Sequence, residues 1–144
     1  MRKLLFCALA LCVLSSLAIP AGARDIEEEM QHKRARLRAK TERLILAILR
    51  TDHPAIVDNT YYEGFSSSKG YKIDEFLKQY HGDRYTCAEI EIMTVEVFPG
   101  PTERAEVTVR AHLAVTPPHD VPPMRIDVWE FVNKQDDWFL VLRK

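Results

Sequence analysis

From residue 84 onward, apolar and polar side chains alternate along the chain. The clearest run is residues 104–116. Ala105, Val107, Val109, Ala111, Leu113 and Val115 fall on one side of an extended chain; Arg104, Glu106, Thr108, Arg110 and His112 fall on the other. A period of two puts successive side chains on opposite faces, so this stretch predicts a strand with one covered and one solvated face. A strand over residues 84–98 precedes it, closed by Pro99-Gly100-Pro101-Thr102, and Pro117-Pro118 and Pro122-Pro123 bound a stiff loop after it. Two more strands, residues 125–132 and 138–143, are joined by a polar turn over residues 133–137. Here the alternation breaks down. Ile126, Val128 and Val132 are apolar, and so are Trp129 and Phe131 on the opposite face. A strand apolar on both faces is usually covered on both. Helices can cover one. A second copy of the chain is the simplest cover for the other, with Phe131, Trp138 and Phe139 as the expected dimer-face side chains.

The first half carries a helical period. Ile26, Met30, Leu37, Leu44 and Ile48 recur four or seven apart within residues 25–50, and Ile45 and Leu49 widen the stripe in the last two turns. Asp25, Glu27, Glu28 and Glu29 open this helix and basic residues dominate later turns, in the sense the helix dipole favours. The C-terminal half is expected to pack and the N-terminal half to stay in water. Asp52-His53-Pro54 stops this helix and starts a short second one, with Asp52 as its cap and Asn59 at its end. Tyr61-Tyr62 has strand-forming residues. With the stretch near Tyr71 it predicts a short hairpin across the serine-rich loop at residues 64–70. Ile73, Phe76, Leu77 and Tyr80 are spaced as a third helix reaching about His81, with Gly82 as its C-terminal cap.

The 144 residues allow one domain, and residues 1–23 are not read as part of it. Arg2 and Lys3 precede an apolar run from Leu4 to Ile19, followed by Pro20-Ala21-Gly22-Ala23. That is the pattern of a secretory signal peptide cleaved after Ala23. An uncleaved anchor is the alternative, although the run is shorter than the ~20 residues that span a bilayer. The expectation is an exported protein, periplasmic or extracellular, made of residues 24–144 and not stably inserted in the membrane. That chain holds 18 basic and 21 acidic side chains, a net charge of about −3. Such a balance argues against a nucleic-acid partner. Cys87 is its single cysteine, so no internal disulfide can form and stability must come from an apolar core.

The element order is a long helix, short helices with a short hairpin, then a four-stranded (or larger) antiparallel meander. The α+β pattern resembles the NTF2-like superfamily, also described as SnoaL-like or cystatin-like. The resemblance rests mostly on Asp127-Val128-Trp129-Glu130-Phe131, a polar turn, and Asp137-Trp138-Phe139-Leu140-Val141. It extends over nearly all of residues 24–144 as a pattern of elements, with no motif specific to one branch. The cystatin inhibitor signature Gln-x-Val-x-Gly is absent. The resemblance implies a strongly curved sheet folded round the helices into a cone with a pocket, and frequent dimers through the sheet. Fold by itself assigns no function.

Enzymes of that superfamily place an Asp or His base in the pocket beside Tyr or Asp donors. Tyr61, Tyr62, Tyr85, Asp127 and Trp129 are the pocket candidates here, with His112 and Glu130 as further titratable groups. None matches a family motif residue by residue. His112 lies on the polar face of its strand and reads as a surface histidine. One of Tyr61 and Tyr62 faces inward, and core packing explains it better than catalysis. The histidines at 32, 53, 81, 112 and 119 show no ligand spacing, and neither a metal nor an organic cofactor is expected. Cys87 reads as a buried, inert thiol. The basic run at residues 33–40 reads as a solvated helix face offset by Glu27 to Glu29, rather than as a site for an anionic partner.

These features favour an exported module that binds a small apolar or amphipathic ligand, or a protein partner, without a catalytic motif. Two alternatives stand beside it. One is a small lyase or isomerase of the ketosteroid isomerase or SnoaL type. The other is a scaffold subunit of an envelope assembly that uses the charged first helix.

Overall fold

The structure is a computed structural model, and it describes residues 21–117 and 120–143. The expected export signal falls mostly on residues 1–20, and His119 in the proline loop, both outside the described residues. Among the described residues no helix is long and apolar enough to cross a membrane.

Helix α1 spans Ala21–Leu49. Its stripe divides as the sequence predicts: Leu37, Leu44 and Ile48 are fully buried, joined by Ile45 and Ala47, while Ile26 is exposed. Thr41 is buried within the stripe and donates its hydroxyl to the Leu37 carbonyl at 2.8 Å, which removes the cost of an unpaired hydroxyl there. Helix α2 (His53–Asp58) starts where Asp52 accepts from the Ala55 amide at 3.2 Å and stops at Asn59. Helix α3 spans Lys69–Lys78 and buries Ile73 and Phe76, with Tyr80 buried just beyond it.

The strands are β1 (Thr60–Tyr62), β2 (His81–Gly82), β3 (Tyr85–Phe98), β4 (Arg104–Val115), β5 (Met124–Lys134) and β6 (Asp137–Leu142). They form one curled half-barrel sheet in the order β1-β6-β5-β4-β3-β2. Every pairing is antiparallel except β1 with β6. The concave face carries Ala105, Val107, Val109, Ala111 and Leu113 of β4, opposite Trp129 and Phe131 of β5 and Val97, Ile92 and Ile90 of β3. α1 packs into this concavity, chiefly against β3, and Phe76 and Tyr80 from the α3 region pack against Trp129 of β5. Register shifts at Cys87/Glu89 and Ile92/Thr94 bend β3, as bulges do in curled sheets.

Cations of α1 tie the helix to the hairpin ends. Lys33 pairs with Glu103, Arg36 donates to the Asp136 carbonyl, and Lys40 pairs with Asp137 at 2.8 Å. Burial alone would raise the Asp137 carboxyl; hydrogen bonds from Lys40 and the Trp138 amide outweigh it and hold the acid below its usual range. Much of the basic run is therefore structural.

Several expectations are corrected. Tyr61-Tyr62 forms no hairpin with the Tyr71 region: Tyr71 lies in α3, and β1 instead runs parallel to β6, pairing Thr60 with Leu140 and Tyr62 with Leu142. The contacts that decided this lie eighty residues apart in sequence, beyond any local signal. Gly82 does not cap α3, which ends at Lys78 with Gln79 as its cap; it sits in β2, where a Cβ would meet the Tyr85 ring. The β5–β6 turn is tighter than residues 133–137, because Asn133 pairs with Trp138 and Lys134 with Asp137. Only Gln135 and Asp136 turn, with φ of 53° and 63°. That is the backbone of a two-residue hairpin turn of the primed type. Phe131 and Trp138 are 1% and 2% exposed, so they belong to the core of the monomer and not to a dimer face.

A glycine adopts positive φ without the steric cost of a Cβ. Asp136→Gly should therefore raise stability by about 0.5–1 kcal/mol in urea unfolding, and Asp136→Val should lower it. A destabilised glycine variant would show that the turn is held by something other than backbone preference.

Candidate functional site

The ladder between β5 and β6 is short. It runs from Lys134↔Asp137 to Phe131↔Leu140 and ends there, although β5 continues back to Met124. Beyond Leu140, β6 pairs with β1 on its other side. Leu140 donates its amide to the Asn59 carbonyl at 2.9 Å, and Glu63 donates to the Leu142 carbonyl at 3.1 Å. The two strands part, and a cleft of about 350 Å³ opens between them. One wall is Asp127 to Glu130, the other Leu140 to Arg143, and α3 supplies Lys72, Glu75, Phe76, Gln79 and Tyr80.

The cleft's inner end is a hydrogen-bond relay. Trp129 Nε1 donates to the Tyr80 hydroxyl at 2.8 Å, and that hydroxyl donates to Asp127 Oδ2 at 2.9 Å. Arg125 donates to Asp127 Oδ1 from Nε at 3.1 Å and from Nη2 at 2.6 Å, and from Nη1 to the Gln79 carbonyl at 3.2 Å. The Phe76, Tyr80 and Trp129 rings pack edge to face, with centroids 5.4–6.0 Å apart. Burial, reinforced by the Asp127 charge, pushes the Tyr80 hydroxyl well above its ordinary range. Tyr80 is therefore a fixed donor to the carboxylate and not a source of phenolate. The Arg125 guanidinium is held up by its bonds to Asp127 against the opposing effect of burial. At the outer end, Glu130 and Arg143 form an ion pair across the cleft.

Of the sequence candidates, the fold brings Asp127, Trp129 and Glu130 to this cleft and leaves the others outside it. Tyr61 is on the rim of the sheet under the Lys134 ammonium, 4.7 Å from its ring centroid. Tyr62 packs against the core beside Gly64, and the Tyr85 hydroxyl donates to the Lys78 carbonyl. Phe139 lies half-buried beneath Lys40. Cys87 is buried, and burial raises its thiol pKa, in line with an inert side chain. Tyr80, Arg125, Lys72, Glu75 and Gln79 were not candidates. Tyr80 reads in the sequence only as one apolar position of α3, and nothing local links it to a strand 47 residues later.

The outer face of the sheet holds a second polar group that the sequence spacing hides. Strand pairing sets His112 opposite Glu89 and beside Glu91, with ligand atoms within 4.8 Å of one another. Arg110 already binds Glu91 at 2.7 Å, so the cluster carries its own cation.

No protein-family model and no curated protein matches the chain. Among solved structures it is similar to Rv3472, a function unknown protein from Mycobacterium tuberculosis, at 14% identity and a TM-score of 0.42, over 86% of this chain and 73% of that one.

Tyr80→Phe should cost about 1–3 kcal/mol, because it strands the Trp129 N–H and one Asp127 oxygen. The raised Tyr80 pKa also gives a sign. Above the ordinary tyrosine value of 10.0 the unfolded chain loses this proton before the folded one does, so stability should fall as pH rises past that point. The alkaline decline should be shallower in Tyr80→Phe. Identical pH profiles for the two proteins would contradict the assigned burial and bonding of the hydroxyl.

Proposed function

We propose that the chain is an NTF2-like protein, exported, that holds a small amphipathic ligand in the β5–β6 cleft without chemically changing it. Support for the superfamily comes from the long helix seated in a curled antiparallel sheet and from the aromatic β5–β6 pair the sequence singles out. The observation that carries the binding reading is the state of Asp127. Both of its oxygens accept from the protein's own donors, Tyr80 on one and Arg125 on the other. A general base needs a free lone pair within reach of a substrate proton. Three bonds take three of this carboxylate's four lone-pair sites, which makes it chiefly a fixed charge at one end of a cleft whose apolar lining includes Phe76, Trp129 and Leu140. The cleft's volume falls at the small end of ordinary ligand sites, and its lining is largely polar, with Lys72, Glu75, Asp127, Glu130 and Arg143 set around an apolar floor of Phe76, Trp129 and Leu140. A ligand with an apolar body and a polar end fits both parts.

One observation favours a second reading, a lyase or isomerase. Tyr80 stands 2.9 Å from Asp127 in an aromatic setting, the pairing of acid and donor that enolate chemistry uses. It requires Arg125 to release Asp127 when substrate enters. The envelope-scaffold reading has less support, since Lys33, Arg36 and Lys40 of the basic run are committed to the sheet.

Native mass spectrometry of the protein purified from its own host should show a co-purifying small molecule. Asp127→Asn should retain it about tenfold less, the loss expected for one polar contact of roughly 1.4 kcal/mol. A bare protein mass with every preparation would count against the binding reading. Exchange of the α-protons of an enolisable ketone in deuterated water, abolished in Asp127→Asn, would replace it with the isomerase.

A further inference from the structure

We infer that two copies of the chain pair through the open edge of β5, antiparallel, about a twofold axis at Ile126. This does not rest on the ligand reading. It begins with the direction of the β5 backbone. The Leu113 amide donates to the Pro123 carbonyl at 2.8 Å, and the Asn133 amide to the Glu103 carbonyl at 2.9 Å. The β4–β5 register between them is unbroken. In an antiparallel pair, backbone groups point alternately to the two sides. Odd positions of β5 therefore face β4, and Met124, Ile126, Val128 and Glu130 face away from it. Val132 and Lys134 find β6 on that side, whereas the β5–β6 ladder does not reach Met124, Ile126 or Val128. Among the described residues no strand pairs with this stretch of edge, and an open edge is a template for another strand.

The sequence along that edge complements itself. Met124-Arg125-Ile126-Asp127-Val128 reads apolar, basic, apolar, acidic, apolar. Laid antiparallel on its own copy with Ile126 at the centre, it sets Met124 against Val128, Ile126 against Ile126 and Arg125 against Asp127. Opposite charges and apolar side chains facing across strands each stabilise a pair. Shifting the centre to Val128 would set Ile126 against Glu130, and centring on Arg125 or Asp127 would set like charges face to face. One register satisfies both rows.

Exposure agrees with this. Met124, Ile126 and Val128 all lie on the convex face, and Ile126 and Val128 are 58% and 56% exposed. Pairing sets the two rows side by side, so each apolar side chain buries one flank against the row of the other copy. The Pro122-Pro123 pair limits the ladder, because Pro122 has no amide to offer opposite Glu130. Arg125 and Asp127 are already an ion pair within each copy at 2.6 Å, so the second copy sets one such pair beside the other at the polar end of the cleft. The dimer seam and the candidate site thus share a residue. The short ladder makes a small interface, of the transient class, with an affinity in the micromolar range.

Sedimentation across the micromolar range, with cysteine scanning, tests this. The protein should sediment as a concentration-dependent dimer. Ile126→Lys, a change at an exposed position, should weaken the dimer at least about tenfold, by placing two ammonium groups face to face, with unchanged circular dichroism. On mild oxidation, Ile126→Cys should link to its own copy. Met124→Cys and Val128→Cys should each fail to self-link but should link to one another when mixed, because the register separates like positions and joins unlike ones. A monomer at all concentrations would overturn the inference. So would a dimer indifferent to Ile126→Lys, or one in which Val128→Cys links to itself.

Discussion

Strand β6 has two suitors, and the rest of the site depends on how it divides between them. Its first half, through Leu140, pairs with β5; its second half, Leu140 to Leu142, pairs with β1. The parallel pairing is reinforced at both ends, by Leu140 on Asn59 and by Glu63 on Leu142. A strand held on one side while the sheet curls away on the other must leave its former neighbour. The parting creates the cleft, exposes the β5 edge and brings α3 close enough for Tyr80 to reach Asp127. Replacing the β1–β6 pairing by a longer β5–β6 ladder would close all three at once.

What fills the parting is polar and fully bonded. Trp129, Tyr80, Asp127 and Arg125 form a relay in which every donor meets an acceptor, and no buried side-chain nitrogen or oxygen among the described residues lacks a partner. Buried networks of this kind are stabilising only when complete. That condition accounts for the double commitment of Asp127. It also weighs against the acid as a free base, since the bonds that make it tolerable in an aromatic setting take three of its four lone-pair sites. The convex face is handled differently. Its charges pair across strands, as with Arg110 and Glu91, and its most exposed apolar row lies in the N-terminal half of β5.

Local pattern foretold the elements well. The stripe of α1, the Asp52 cap, the alternation of β4 and the aromatic β5–β6 pair could all be read from spacing, because each depends on neighbours within a few residues. What failed were long-range matters. Thr60 to Tyr62 lies next to β6 through pairing alone, and Gly82 is small because a ring from Tyr85 rests on it. The apolar surplus of the last two strands was visible, but its division was not: Phe131 and Trp138 went to the core, whereas Ile126 and Val128 stayed outside. Period-two reasoning names faces without saying which one the helix will take. Asp127 and Trp129 were legible as an acid and an aromatic sharing one face. Tyr80 and Arg125 were not, since their role appears only when α3 is laid against β5.

Amide hydrogen exchange along β5, followed residue by residue in the dilute monomer, tests the parting of the strands most directly. Exchange protection reports whether each amide has a partner. Asp127, Trp129 and Phe131, facing β4, should be protected, and Val132, facing β6, should be too. Val128 and Glu130, facing the cleft, should exchange orders of magnitude faster. Equal protection along residues 127–132 would mean that β6 never leaves β5, and that neither the cleft nor the open edge exists in solution.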